Sequence, residues 1–413
     1  MAGYATVGAN MIANMIFIGV AVFALTLILC MVLSPQHTFG LAVVCLMMSG
    51  ASLVGSAESI GVRIEAVLLL AGLLTFRPPR KDAFQLHSEQ SKTLFLFVAA
   101  LWLTIMAVAL PHGDWSMAIN ASLGVLAVSL MVVVPSRVLT RAEFQNSVTM
   151  VLLLFLLSSA VVTFFSPSIG MVNLRLRGLT ANANLLGFYI LLTITLSLIV
   201  EQRKRRIILV LVVAIPSLIL TGSRTSAIAL AVIIILGTIG RTGYVSRAAG
   251  FLLVGLVTFF LSSFGSGTGA DTTLLRSGDS RNLSWERAVW VYHYAPLVGV
   301  GIRNVDVEVA SSPLRAFVGG GAVGLFFLVF AYIVLIVSSW RLGWGSFTLA
   351  SGALVHSLGE GWLVSLTGPM VLMFVLAWLV ITANDTQVAG GEPSREFQRP
   401  RKRHRLIRQS LSR

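Results

Sequence analysis

The sequence predicts an all-α polytopic membrane protein, and three observations carry that prediction. Of 413 residues 56% are hydrophobic and only 11% charged, with a mean hydropathy of +0.89. A soluble domain of this size needs far more charge to cover its surface. The apolar residues gather in runs of about the 20 needed to cross a hydrocarbon core as a helix. The strict alternation of an outer-membrane barrel strand is absent.

Taken in order, the runs place spans at 11–33, 39–56, 60–76, 94–110, 117–134, 147–166, 182–200, 206–222, 225–240, 248–263, 319–339, 346–358 and 362–382. The second and third are short and adjacent, so the expected count is 12 or 13. The segment from Met1 to Leu33 carries no charge and no small-residue cleavage pattern, so it reads as a retained helix rather than a removable signal. Connections are short except 264–318, which has room for a small extramembrane element. The spans and this loop form one unit, 1–383, followed by a polar, Arg-rich tail, 384–413, expected to be disordered and drawn to anionic lipid. Cys30 and Cys45 both sit in apolar runs, which argues against a disulfide framework or a thiolate metal site.

Charge orients the chain. Segments 77–92, 135–146, 201–206 and 241–247, with Arg341 and the tail, alternate properly with the spans and hold 21 of the 30 basic residues. The positive-inside rule makes that face, and the C-terminus, cytoplasmic. With 13 spans the N-terminus lies outside. This distribution accounts for a net charge of +14 without nucleic acid. The other nine basic residues, Arg63, Arg175, Arg177, Arg224, Arg276, Arg281, Arg287, Arg303 and Arg315, fall outside, and all are arginine. Either they pair with outer carboxylates, or their planar forks serve phosphate oxygens in a partly dry site.

Four outer constellations are candidates for chemistry. Leu220-Thr-Gly-Ser-Arg-Thr-Ser226 sets Arg224 at or near a helix N-terminus, where backbone N–H groups favour anions; the alternative is a capped turn with a snorkelling Arg. Leu174-Arg-Leu-Arg-Gly-Leu-Thr-Ala-Asn-Ala-Asn-Leu-Leu-Gly187 sets Arg175 and Arg177 before a helix start, with Asn182 either an N-cap or a ligand and Asn184 bonding either a sugar or a neighbouring helix. The run from Ser277 to Gly301 becomes helical near Ser280; Arg281 and Trp285 share a face, and Trp285, Trp290, Tyr292 and Tyr294 suit an interface or a sugar. In Val355-His-Ser-Leu-Gly-Glu360, His356 and Glu360 are four apart and expected on one helix face, either as a base with its orienting partner or as a structural bond. Asp306 and Glu308 are a lone close carboxylate pair, so no metal site is expected, and there is no P-loop. Gly319-Gly-Gly321 reads as close helix packing rather than phosphate binding.

In this order the motifs resemble the bacterial O-antigen ligase and polymerase superfamily. Its Gly, Asn-Pro-Asn, Gly core is matched by Gly178, Asn182-Ala183-Asn184 and Gly187, with Ala for Pro. Its Ser-Arg is matched by Ser223-Arg224, and its Arg with Trp four on, then Pro-Leu-x-Gly-x-Gly, by Arg281, Trp285 and Pro296 to Gly301. Gly321 and Gly324 match its Gly-x-x-Gly. The likeness covers about 170 to 382. The ligases' His, set before that Gly-x-x-Gly, is replaced by Ala310.

The resemblance implies a GT-C-like helical fold and an inverting, metal-independent glycosyltransferase without cofactor. It further implies a polyprenyl-diphosphate-linked glycan donor, a glycan or glycolipid acceptor, and work on the extracytoplasmic face of the bacterial inner membrane. On that reading Arg224 and Arg281 meet the diphosphate and Arg175 or Arg177 assists. His356 with Glu360 or Asp279 lies near the acceptor, and Asn182, Asn184, Trp285, Arg287 and His293 complete the substrate surface. Fixed guanidiniums suit a diphosphate leaving group on physical grounds as well. The rival reading is a transporter or lipid-linked oligosaccharide flippase, which should carry charge through the membrane depth and two related halves. The charge gathers at one face and no duplicated half is visible.

Overall fold

The computed structural model describes residues 32–50, 56–200, 204–239, 281–304, 309, 311–366 and 368–389. These are almost wholly helical: α1 (Pro35–Met48), α2 (Ser56–Phe76), α3 (Ser88–Ala109), α4 (Trp115–Val138), α5 (Arg141–Phe165), a one-turn α6 (Pro167–Gly170), α7 (Ala183–Ile199), α8 (Lys204–Thr221), α9 (Arg224–Ile239), α10 (Arg281–Tyr294), α11 (Ser312–Leu342), α12 (Trp344–Gly359) and α13 (Pro369–Ala389). The single sheet among them is a two-residue antiparallel ribbon, β1 (Met171–Val172) with β2 (Arg175–Leu176). The expected spans 11–33 and 248–263, and the tail from 390, lie outside the described residues.

Within the described residues, four helices are long and apolar enough to cross a membrane: Ser88–His112, Trp115–Val138, Arg141–Phe165 and Ser312–Leu342. Five shorter apolar helices accompany them. Their starts follow ordinary capping chemistry. Ser34 precedes Pro35 and its side chain accepts from His37 N, Asp114 accepts from Met117 N, and Thr140 with Glu143 forms a capping box.

Residues 183–197 of α7 are buried on every side apart from half-buried Asn184, and α13 is buried throughout 370–383. A helix apolar all round belongs at a core, and α1, α4, α5, α8, α9, α11 and α12 pack against one or both of these two. On the outer helices large apolar side chains face away from the protein: Phe95 is 72% exposed, Phe164 80% and Phe326 65%. That outward belt suits a hydrocarbon solvent.

Contacts sort the connections into two ends. At one, Arg80 N donates to Arg137 O at 2.8 Å, Phe84 N to Leu139 O at 2.7 Å, and the Arg80 guanidinium bridges Asp82 and Glu143 at 3.0 Å each. Arg80 holds the Asp82 carboxyl below the usual carboxylate range. Arg141 Nη2 donates to Asn384 Oδ1 at 3.4 Å, and the next residue, Asp385, accepts from Ser346 N and Oγ at the start of α12. The other end holds Ala181 N on Gly50 O, Arg303 on Asp114, and the polar cluster described below. The basic segments 77–92 and 135–146 thus lie at one end, and Arg175 and Arg303 at the other; 241–247 and the tail lie outside the described residues.

Two expectations change. The span 362–382 starts late: Trp362–Val364 is a single 3₁₀ turn and α13 begins only at Pro369. Proline disfavours helix in the residue before it and fits the first helical position, so Gly368-Pro369 sets the start. The span 319–339 is the second half of a longer element. α11 starts at Ser312 and breaks at Gly321, whose φ is 60° and ψ −153°.

That break has a cause. Ala322 N donates to Pro296 O at 2.7 Å, Val300 N to Val318 O at 2.9 Å and Gly301 N to Gly319 O at 3.1 Å. The Pro296–Gly301 loop therefore lies against the interrupted helix, backbone on backbone. A Cβ at Gly321 would overlap the Leu297 carbonyl, and one at Gly299 would stand 2.6 Å from Gly321 N. Gly321 thus meets the loop, whereas a Cβ at Gly319 or Gly320 would press on Val108 of α3 at 2.8 and 3.0 Å, so those two serve the close helix packing that was expected.

Candidate functional site

The site grows from the β1–β2 ribbon. Asn173 and Leu174 turn it with φ of 50° and 58°, a left-handed pair suited to a two-residue hairpin turn but rare for leucine. The turn delivers Arg175 to the α8–α9 corner. Arg175 Nε donates to Thr221 O at 2.8 Å, and Nη2 to Gly222 O at 3.3 Å and to Asn184 Oδ1 at 2.8 Å. Gly222, at φ 58°, leaves room for the guanidinium: a Cβ there would stand 3.3 Å from Arg175 Nε.

Asn184 passes the connection on. Its Nδ2 donates to Glu360 Oε1 at 2.8 Å, and Thr225 Oγ1 reaches the same oxygen at 3.4 Å. Ser312 Oγ caps the Glu360 carbonyl at 2.6 Å. A cation and an amide from one stretch and a carboxylate from a distant one thus form one chain of charge-assisted bonds at the end of the bundle.

His356 stands one layer deeper. It is fully buried, its ring 4.8 Å from that of Phe188 and 6.3 Å from that of Trp362. Nε2 shares a hydrogen bond of 3.1 Å with Ser226 Oγ, which in turn meets Ser223 Oγ at 2.9 Å; Nδ1 has no partner among the described residues. The shared face expected for His356 and Glu360 is not formed. α12 ends at Gly359, and Glu360 is extended at φ −137° and ψ 139°, which turns its carboxylate to Asn184 while His356 faces α9.

Asn182 is the N-cap of α7, accepting from Leu185 N at 2.8 Å. Arg177 Nε donates to Ile169 O at 2.8 Å and so braces the ribbon. Ser223 N-caps α9, whose first residue is Arg224. Gly187 lets α7 and α9 touch, since a Cβ there would meet Ser226 Oγ at 2.7 Å and Ser223 Cβ at 2.9 Å.

α10 stands apart, packed on α11 through Ala288, Val291 and Val318. Trp285 is 61% exposed on its outer side. The Arg287 guanidinium lies 4.3 Å over the Trp290 ring, and Tyr292 edges the His293 ring. Asp279, Ala310 and the side chain of Arg281 lie outside the described residues.

Sequence reasoning did not single out Thr225 or Ser312, whose polar side chains carry no pattern of their own. Nor did it find a cleft of about 260 Å³ at the same end, lined among others by Asp114, Ser116, Asn120, Arg303, Arg315 and Ser365. No family model matches the chain, and no curated protein matches its sequence.

Proposed function

We propose that the chain is a glycosyltransferase of the O-antigen ligase and polymerase type. It takes a glycan from a polyprenyl-diphosphate donor at the extracytoplasmic face of the bacterial inner membrane, in a GT-C-like bundle. The observation that supports this best is the Arg175–Asn184–Glu360 chain with Thr225. Three motifs far apart in sequence meet there, at the end of the bundle that carries the outer arginines.

The chemistry follows from those groups. An acceptor hydroxyl attacks the anomeric carbon, and the bond from that carbon to the diphosphate oxygen breaks. Negative charge grows on the departing diphosphate, where Arg224 and Arg281 stabilise it. Glu360 takes the acceptor proton, its carboxylate held by Asn184 and Thr225. Arg175, tied to two backbone carbonyls and to Asn184, fixes the position of this base. His356, sealed beneath, holds Ser226 and hence the start of α9.

The test is transfer by the purified full chain, supplied with a labelled polyprenyl-diphosphate glycan. Wild type should transfer, and Arg224→Ala, Arg281→Ala and Glu360→Ala should each lose at least about 100-fold, the scale of one electrostatic or acid–base contribution. A product ladder marks a polymerase and a single addition a ligase. An inactive wild type across such donors, or folded variants at full rate, overturns the proposal.

A further inference from the structure

An unbroken row of hydrogen bonds joins the Glu360 carboxylate to the buried His356 ring. Thr225 Oγ1 donates to Glu360 Oε1 at 3.4 Å, and Ser223 Oγ lies 3.4 Å from Thr225 Oγ1. Ser226 Oγ stands 2.9 Å from Ser223 Oγ and 3.1 Å from His356 Nε2. Thr225 is 6% exposed and Ser223, Ser226 and His356 less. Bulk water is thus kept from setting which way these bonds run.

The groups set it themselves. An ionised carboxylate only accepts, and a hydroxyl has one proton to give. With Glu360 ionised, Thr225 spends its proton on Oε1. Ser223 must then donate to Thr225, Ser226 to Ser223, and His356 to Ser226. Ser223 Oγ has a second lone pair for Ser226 N, which caps α9. His356 ends with its proton on Nε2 and a bare Nδ1. The opposite direction needs a proton on Nδ1, which has no partner among the described residues. A buried N–H without an acceptor is a rare and costly orphan. The neighbouring ring agrees. Trp362 Nε1 is likewise buried without a partner among the described residues, and an indole nitrogen only donates. A bare Nδ1 is the complementary group. The two ends of the row therefore select the same direction, from His356 to Glu360.

We infer that Thr225, Ser223, Ser226 and His356 form a one-way hydroxyl relay that holds Glu360 Oε1 as an acceptor, with neutral His356 as the positioning residue at its buried end. The inference rests on the reading of Glu360 as the base and deepens it. Each donor in the row polarises the next, so the carboxylate feels the ring through the hydroxyls between them. No proton passes along the row. Asn184 fixes the same oxygen from the side of Arg175, and the relay fixes it from the core. The links at Thr225 are long and those at Ser226 ordinary, so the whole row contributes on the scale of one neutral hydrogen bond, about tenfold in rate.

Two readouts test this. The first needs no substrate: long-range proton–nitrogen NMR correlation on the full chain in micelles with ¹⁵N-labelled histidine, the His356 signal being assigned by its loss in His356→Gln. The ring should be neutral with its proton on Nε2. A proton on Nδ1, or on both nitrogens, overturns the inference. The second is glycan transfer. His356→Leu and Ser226→Ala should each lower kcat about tenfold with KM within about twofold, and the double variant should fall no further, because one cut already breaks the row. His356→Gln, whose amide can donate in place of Nε2, should return to within about threefold of wild type. Losses that multiply in the double variant, or equal rates for His356→Gln and His356→Leu, overturn the inference. Should His356→Leu not fold, Ser226→Ala, which removes one oxygen, carries the same test, and a folded Ser226→Ala at full rate is fatal to the relay. A wild type inactive on every donor strikes the transferase reading, while the tautomer still decides the direction of the row.

Discussion

The bond between Asn184 Nδ2 and Glu360 Oε1, at 2.8 Å, joins residues 176 apart in sequence and can be weighed by a double-mutant cycle of Asn184→Ala and Glu360→Ala. A hydrogen bond to a charged group contributes about 1.5–3 kcal/mol in soluble proteins. Interhelical bonds in membranes have a lower ceiling, about 1.7 kcal/mol, because the unfolded chain finds other partners. Both residues are only half buried. The expected coupling is therefore about 1–1.7 kcal/mol. Asn184→Ala alone should cost more, about 2–3 kcal/mol, since it also removes the acceptor of Arg175 Nη2. Asn184→Asp sharpens the case. It keeps that acceptor but sets a carboxylate oxygen where the donor to Glu360 stood. At 2.8 Å and an effective dielectric of about 20, two such charges repel by about 6 kcal/mol before Arg175 offsets part of it. One carboxyl must then take up a proton, so this variant should lose stability more steeply than the alanine as pH rises. Unfolding of the four cycle members in mixed micelles gives the coupling. A value within about 0.5 kcal/mol of zero means independent sites and would refute the shared network.

Three further outcomes follow from the same geometry. Gly321→Ala should cost about 3 kcal/mol or more, since the new methyl meets the Leu297 carbonyl at a φ that L-residues avoid; a thermal midpoint equal to wild type contradicts the docked loop. Gly187→Ala should cost about 1–3 kcal/mol by pressing on Ser223 and Ser226, and Gly187→Ala with Ser226→Gly should recover part of that in the same melting assay. Asp82, whose carboxyl Arg80 holds below its ordinary range, contributes stability that is complete above the unfolded value of about 3.9 and lost as pH falls through the folded one; Asp82→Asn should flatten the acid limb of the unfolding midpoint, and an unchanged limb counts against the bridge.

Helix existence was readable because apolar runs and caps are local. Ser34-Pro35, Asp114 and Thr140-x-x-Glu143 each announce a helix start within four residues. Segregation of charge was readable too, because each loop carries its own sign. The late start of α13 and the break in α11 were not, although Gly368-Pro369 and Gly321 stood in plain view. A glycine becomes a break only when something occupies the space its Cβ would fill, and the Pro296–Gly301 loop is twenty residues away. Thr225 and Ser312 were missed for a similar reason. A hydroxyl at a helix start has a local use, and its second, distant partner leaves no trace in sequence.

The His356–Glu360 pair shows the limit of periodicity most clearly. A spacing of four predicts one face only while the helix lasts, and Gly359 and Gly361 flank the glutamate. Once the backbone is extended, Glu360 answers to Asn184 on α7 rather than to its own helix. The motif glycines fit this pattern. Gly187, Gly299 and Gly321 each stand where another segment comes closer than a Cβ allows. Their spacing records packing. The groups that such packing holds fixed, the Arg175 guanidinium and the Glu360 carboxylate bridged by one amide, are then where polarity has been positioned at most structural cost. A ribbon turned through a left-handed leucine supports the first, and a helix ended one residue early supports the second.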